Sequence, residues 1–351
     1  METGATIRGK EEINMENKRR FSLSSPTMPL VITFVLFLAL YFGFSFRYTP
    51  MLKPQVFYNI FIDNATILIL AVGITYVLLI GGIDISVGSV VALVCMATAY
   101  LLEFTTLHPV VVMILMLIMG AVFGLVQGTF ITYFDMQPFI VTLAGQYFAR
   151  GMTAVINEET IHISNKVYQS IARFQIKLPG GFISPIGLLS IIVLIISIFV
   201  LQYTKFGRNI YAIGGSETSA LLMGLPVKRT KLAVYTLSGF LSALAGVTFS
   251  IYMLSGYTLH AMGMEMDAIA SSVIGGTSLT GGVGYVLGSL FGTTIQGTIK
   301  TIISLDGTIN SWYTRIIVAA LLCAFIVMQS IFTKSKERVK RKEKSKAKTT
   351  N

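Results

Sequence analysis

The feature that most constrains this chain of 351 residues is a succession of apolar runs. Each is close to the roughly 20 residues that a helix needs to cross a bilayer. They fall at 29–46, 59–80, 86–102, 109–133, 138–156, 185–203, 232–254, 267–280, 285–303 and 312–333. The eighth is the weakest, being short and rich in Ser, Thr and Gly. Composition agrees: 54% of residues are hydrophobic and only 12% charged, where a soluble domain carries roughly 25% charged residues. Too little polar surface exists to coat a water-soluble globule, which excludes a soluble enzyme. Glycine shows no period of three, and with 2 cysteines there is no disulfide scaffold. Cys95 and Cys323 sit inside apolar runs and read as small buried hydrophobes. The expected fold is all-α: a polytopic membrane protein of about ten transmembrane helices, some broken or re-entrant.

The net charge of +11 is concentrated. From Lys334 onward, nine Lys or Arg stand against Glu337 and Glu343, so the tail supplies seven of the eleven charges. A basic run directly after an apolar span marks a cytoplasmic end, and nucleic-acid binding is not expected. Residues 1–28 mix Arg8, Lys10, Lys18, Arg19 and Arg20 with four glutamates, and no small-x-small cleavage site precedes FRYTPMLK. The organisation read from this is a cytoplasmic extension (1–28), a membrane domain (29–333) and a basic cytoplasmic tail (334–351). Ten crossings place both termini on one side together with the connection 204–231, which carries Lys205, Arg208, Lys228, Arg229 and Lys231. The largest loop on the other side is 157–184, too short to be a domain.

One segment is echoed. Ile80-Gly81-Gly82-Ile83-Asp84-Ile85-Ser86-Val87-Gly88 matches Ile274-Gly275-Gly276-Thr277-Ser278-Leu279-Thr280-Gly281-Gly282, 194 residues on. Paired Gly-interrupted apolar segments in the two halves of a transporter point to its substrate path; chance in a Gly- and Ile-rich chain is the competing explanation. Asp84, Glu265 and Asp267 are costly inside membrane segments, and no Lys or Arg lies near them in sequence. Two roles stand side by side. They line a polar pathway, or they cap and support helices beginning at Ile85 and Ala268.

Gly284, Gly288 and Gly292 recur every four residues, as do Gly120, Gly124 and Gly128, a spacing that lets membrane helices pack closely. Gly4 to Glu11 fits a phosphate-binding loop except that Glu11 stands where Ser or Thr should hold magnesium, so any ATP is bound by another chain. His108, His162 and His260 lack metal spacing and no nucleophile–base set exists; no catalytic residue, metal or cofactor is expected.

In 204–231, Gly214-Gly215 breaks the chain, Ser216 caps a helix and Glu217 complements its dipole. Gly224 ends that helix after about two turns, with Pro226 blocking resumption. Its exposed Ala220, Leu221 and Leu222 suit a groove on a soluble partner.

This loop resembles the coupling loop of ATP-binding-cassette importer permeases, roughly E-A-A-x-x-x-G, although Ser219 departs from it. With GGIDISVGS (81–89), YAIGGS (211–216), SGFLSALAG (238–246) and EMDAIASSVIGGTSLTGGVG (265–284), the chain is similar to the ribose-type branch of sugar permeases over about residues 55–330. DGTINSWYTR (306–315), GSLFGTTIQG (288–297) and the loop after FARG look like the permease of a galactofuranose importer, of the kind that pairs with a paralogous permease. The resemblance implies a bacterial inner-membrane permease subunit for a monosaccharide such as galactofuranose, ribose or galactose. Its partners would be a cytoplasmic ATP-binding-cassette ATPase, an extracytoplasmic sugar-binding protein and a second permease, identical or paralogous. It carries coupling onto Gly214, Gly215, Glu217, Ala220 and Gly224. It carries the pathway onto Gly82, Asp84, Ser86, Glu265, Asp267 and Gly276. The rival from composition alone is a self-sufficient secondary transporter using Asp84 or Glu265 for protons or sodium.

Overall fold

A computed structural model describes residues 28–307, 310 and 312–328. The basic tail, residues 1–27 of the extension and positions 329–333 of the tenth run lie outside the described residues. The chain runs through α1 (Met28–Ser45), a 3-10 turn (Thr49–Leu52), α2 (Pro54–Asp63) and α3 (Ala65–Leu79). α2 and α3 meet at 53° across Asn64, whose side-chain amide donates back to Ile60 O at 2.8 Å. Then come α4 (Val87–Phe104), α5 (Pro109–Tyr133) and α6 (Pro138–Ile156). A loop follows, holding β1 (Ile161–His162), α7 (Lys166–Arg173) and the hairpin β2 (Ile176–Leu178) and β3 (Gly181–Ile183). The second half contains α8 (Pro185–Tyr203), α9 (Lys205–Gly215), α10 (Glu217–Leu222), α11 (Val227–Met253), β4 (Ser255–Gly256), α12 (Met264–Ile274), α13 (Val286–Asp306) and α14 (Trp312–Met328).

Proline opens α5, α6 and α8, where its missing N–H costs nothing and its φ is already helical. α4, α5, α6, α8 and α11 are each long and apolar enough to cross a membrane, and the bent pair α2–α3 makes a sixth span; α1 and α14 are shorter apolar helices. Cys323 is exposed on α14, a helix that stands at the edge of the bundle, rather than buried as its apolar run suggested.

α3 is the axis: all of its residues are buried. α11 packs along α3, α4 and α5, closely enough at α5 that a side-chain carbon on Gly124 would lie 2.3 Å from Tyr235 O. Gly288 and Gly292 do the same for α13 against α12. Gly284 does not share their face, because α13 starts only at Val286.

Two crossings include an unwound segment. The run expected at 267–280 is a helix over Met264–Ile274 alone, roughly 16 Å long at 1.5 Å per residue, half of a hydrocarbon core. The Gly turns after Ile274 end it early. The other half of the crossing is the segment 254–263, mostly non-helical, which follows α4 inward: Gly256 abuts Ala99 and Met96, and Ala261 O abuts Gly88. The third crossing is built in the opposite sense. Residues 80–86 pass Tyr235 and Ser238 in the first half of α11, and α4 completes the traverse. The unwound segments therefore lie toward opposite ends of the bundle. The N-termini of α4 and α12 meet inside it, where Gly88 closes on Glu265.

Candidate functional site

The short helix α10 is built as its sequence directs, with one difference. Ser216 Oγ accepts from Ser219 N at 3.2 Å, and Glu217 in the first turn takes Lys231 Nζ on both carboxylate oxygens at 2.6 Å. At the other end Gly224 adopts φ +75°, its N–H donating to Leu221 O and that of Leu225 to Ala220 O. These two bonds make a Schellman cap. Ala220, expected at the surface, is fully buried; the exposed apolar set is Leu221 (63%), Leu222 (89%) and Met223 (67%). A two-turn helix is marginal in water by itself, and turning Ala220 inward is how this one is held to the bundle.

The glycines of the echo are caps of the same kind. Gly81 N donates to Leu78 O and Gly82 N to Val77 O, closing α3; Gly276 N donates to Val273 O and Thr277 N to Ser272 O, closing α12. Gly81 (φ +75°) and Gly276 (φ +94°) hold equivalent left-handed positions, one residue out of step with the sequence echo. Gly82 fits under Tyr235, whose Oη would be 2.4 Å from any side-chain carbon there, and Gly276 packs on Pro29 of α1.

Asp84 is 2% exposed. Its Oδ1 accepts from Ser86 N (3.0 Å) and Ser86 Oγ (2.7 Å), and its Oδ2 accepts from Ser238 Oγ of α11 (2.8 Å). Ser86 Oγ also lies 3.2 Å from Gln127 Oε1 of α5. The carboxylate ties α11 to Ser86, the residue at the N-cap position of α4, which begins at Val87 rather than Ile85. Glu265 and Asp267 lie in the first turn of α12, which begins at Met264 rather than Ala268. Glu265 is buried, accepts from Gln146 Nε2 of α6 at 3.3 Å, and turns Oε2 toward Gly88. Asp267, which has no cation near it in sequence, meets Lys300 of α13 at 3.6 Å. Acids at a helix N-terminus offset its partial positive charge, and here two such termini face each other.

Asp84 with Ser86 forms one centre and Glu265 another; they share no hydrogen-bond partner in the described residues. Gly214 packs on Leu79 O and Gly282 N, backbone against backbone, whereas Gly215, its neighbour, faces open space. Sequence reasoning missed Arg150, Gln146, Gln127 and Ser238. Arg150 was findable, since a cation within an apolar run carries the same signal as the acids. Its Nη1 donates to Thr258 O (2.9 Å) and His260 O (2.7 Å), carbonyls of the unwound segment. Non-helical backbone at membrane depth needs such partners.

Residues 56–326 match the family described as branched-chain amino acid transport system / permease component. The chain is 45% identical over 303 residues to the inner membrane ABC transporter permease protein YjfF of Escherichia coli (strain K12), covering 86% of this chain and 92% of the relative. It is 37% identical over 321 residues to the fructose import permease protein FruG of Bifidobacterium longum (strain NCC 2705), covering 89% and 93%. Identity to the ribose import permease protein RbsC of Escherichia coli (strain K12) is 34% over 286 residues, covering 80% and 88%. No solved structure matches the chain significantly.

Proposed function

The chain belongs to the family of branched-chain amino acid transport permease components, and from that premise we propose how it works: it is the membrane subunit of an ATP-driven monosaccharide importer. The observation that carries this reading is α10, a capped two-turn helix presenting Leu221, Leu222 and Met223 outward at one end of an apolar bundle. Such a helix fits a groove on a soluble ATP-binding-cassette ATPase, which supplies the hydrolysis that this chain does not perform. The α9–α10 end is then cytoplasmic, together with both termini, as the lysines and arginines around it favour. The loop 157–184 faces outward, toward a sugar-binding protein. A second permease chain, identical or paralogous, completes the pathway, and the bacterial inner membrane is the location. The relatives named for fructose and ribose import support a monosaccharide as cargo, with galactofuranose, ribose and galactose as the sugars to assay first.

In this mechanism ATP binding closes the ATPase pair and displaces α10, biasing the permease between outward-open and inward-open states. Gly214, Gly215, Glu217, Ala220 and Gly224 form the coupling element. Gly82, Asp84, Ser86, Glu265, Asp267 and Gly276 belong to the moving wall of the pathway, where the three acids hold α4 and α12 in place. The test is uptake of labelled sugars into vesicles containing the reconstituted complex. Uptake is expected to require ATP and to be lost in Ala220→Pro, which removes the Ala220 N–Ser216 O hydrogen bond inside α10. Uptake without ATP, driven by an ion gradient, overturns the reading in favour of a secondary transporter.

A further inference from the structure

The capped end of α3, the turn at Gly281–Gly282 and α9 meet at one point, and they meet backbone to backbone. Leu79 O, at the end of α3, accepts from Gly282 N at 2.9 Å, which joins the α3 cap directly to the turn leading into α13. Gly214 of α9 lies over this hydrogen bond: a side-chain carbon there would stand 1.8 Å from Leu79 O and 2.4 Å from Gly282 N. The fit is reciprocal, since a carbon on Gly281 would lie 2.8 Å from Gly81 N, and one on Gly282 would lie 2.8 Å from Gly215 N. One turn earlier on α9, Tyr211 Oη donates to Gly284 O at 2.8 Å. α9 thus holds 281–284 from two successive turns while pressing on the end of α3.

We infer that Gly214 and Tyr211 are positioning residues for coupling: α9 passes the displacement of α10 to the ends of α3 and of the 275–285 turn, which move with it as one body. This rests on the reading that α10 docks an ATPase. Close-packed backbone has no rotamers in which to absorb a push, so a shift of α9 is transmitted rather than dissipated. A competing route runs from α10 straight into α11, through the short connection at Leu225–Pro226 and the Glu217–Lys231 pair. Only the first route delivers the motion to residues 80–86 and to the far end of α12 together, because α3 leads into residues 80–86 and α12 leads into 275–285.

The experiment measures sugar taken up per ATP hydrolysed by the reconstituted importer. Gly214→Ala severs the Leu79–Gly282 hydrogen bond and is expected to lower that ratio by about tenfold, within the usual range of coupling between sites. The ATPase should still co-purify and hydrolyse ATP. Gly151→Ala, on α6 with open space around it, is expected to leave the ratio unchanged, and Tyr211→Phe to lower it less than Gly214→Ala does. An unchanged ratio in Gly214→Ala overturns the inference. Should that variant not assemble, spin labels decide, placed at Thr218→Cys and Leu279→Cys in a Cys323→Ser background. Their separation is expected to stay constant between nucleotide-free and ATP-bound complex, and a change with nucleotide overturns the relay. Failure of the underlying reading is seen separately, in unaltered protein that takes up sugar without ATP.

Discussion

The two partly unwound crossings are held by different means. Residues 80–86 are fixed from within: Asp84 gathers Ser86 two residues on and Ser238 of α11, all buried. The segment 254–263 is fixed from without. Its first residues pair as β4 with β1 of the large loop, Ile161 opposite Gly256 and His162 opposite Ser255, and its later carbonyls depend on Arg150 of α6. A segment knotted to the helical core is insensitive to what arrives at a surface loop; one paired to that loop is not. The first moves only with the helical core, whereas the second is a part that events at the loop surface can reach.

The harshest way to break this comparison is Asp84→Leu, which removes the acceptor for three hydrogen bonds in a buried knot. Bonds to a charged group contribute about 1.5–3 kcal/mol each, so a loss of at least about 3 kcal/mol is expected, seen as a large fall in melting temperature in detergent. Asp84→Asn keeps an acceptor for Ser86 and should lose much less. Next comes Gly88→Ala at the junction of the two helix N-termini, where the new carbon would sit 2.1 Å from Glu265 Oε2. Overpacking of this kind costs about 2 kcal/mol, and pairing it with Glu265→Ala should recover part of the loss in a double-mutant cycle. Arg150→Ala sharpens the contrast, because leaving two carbonyls without their donor costs about 1–2 kcal/mol. Hydrogen exchange should rise in 254–263 and stay unchanged in 80–86; equal exposure of both would show that they are one unit. The smallest effect is expected for Lys231→Ala, below about 1 kcal/mol, since its partner Glu217 is half exposed.

Much of this was legible in the chain. Apolar runs located α1, α3 to α6, α8, α11, α13 and α14, and Ser216, Glu217 and Gly224 marked the ends of α10 because caps are local chemistry. The paired glycines were correctly read as breaks, but their step of 194 residues is not the step between the caps. What stayed hidden was long-range. Ala220 looks exposed until α10 is seen to lie on the bundle, and nothing local to Asp267 announces Lys300 on α13. The unwound segment 254–263 is invisible to hydropathy, since YTLHAMGM is neither strongly apolar nor a turn signal. Its conformation is set by β1 and Arg150, more than ninety residues away.

α3 has a consequence for how the protein meets its lipid. Because all of its residues are buried, the central helix has no boundary with acyl chains, and its Thr66 and Thr75 are spared any contact with hydrocarbon. A thinner or thicker bilayer is matched by tilting and snorkelling at helices that touch it. Here those are the peripheral ones, α5 and α6, whose Val122, Phe130 and Phe148 point outward. The axis on which both unwound crossings are mounted is mechanically insulated from the thickness of the membrane around it.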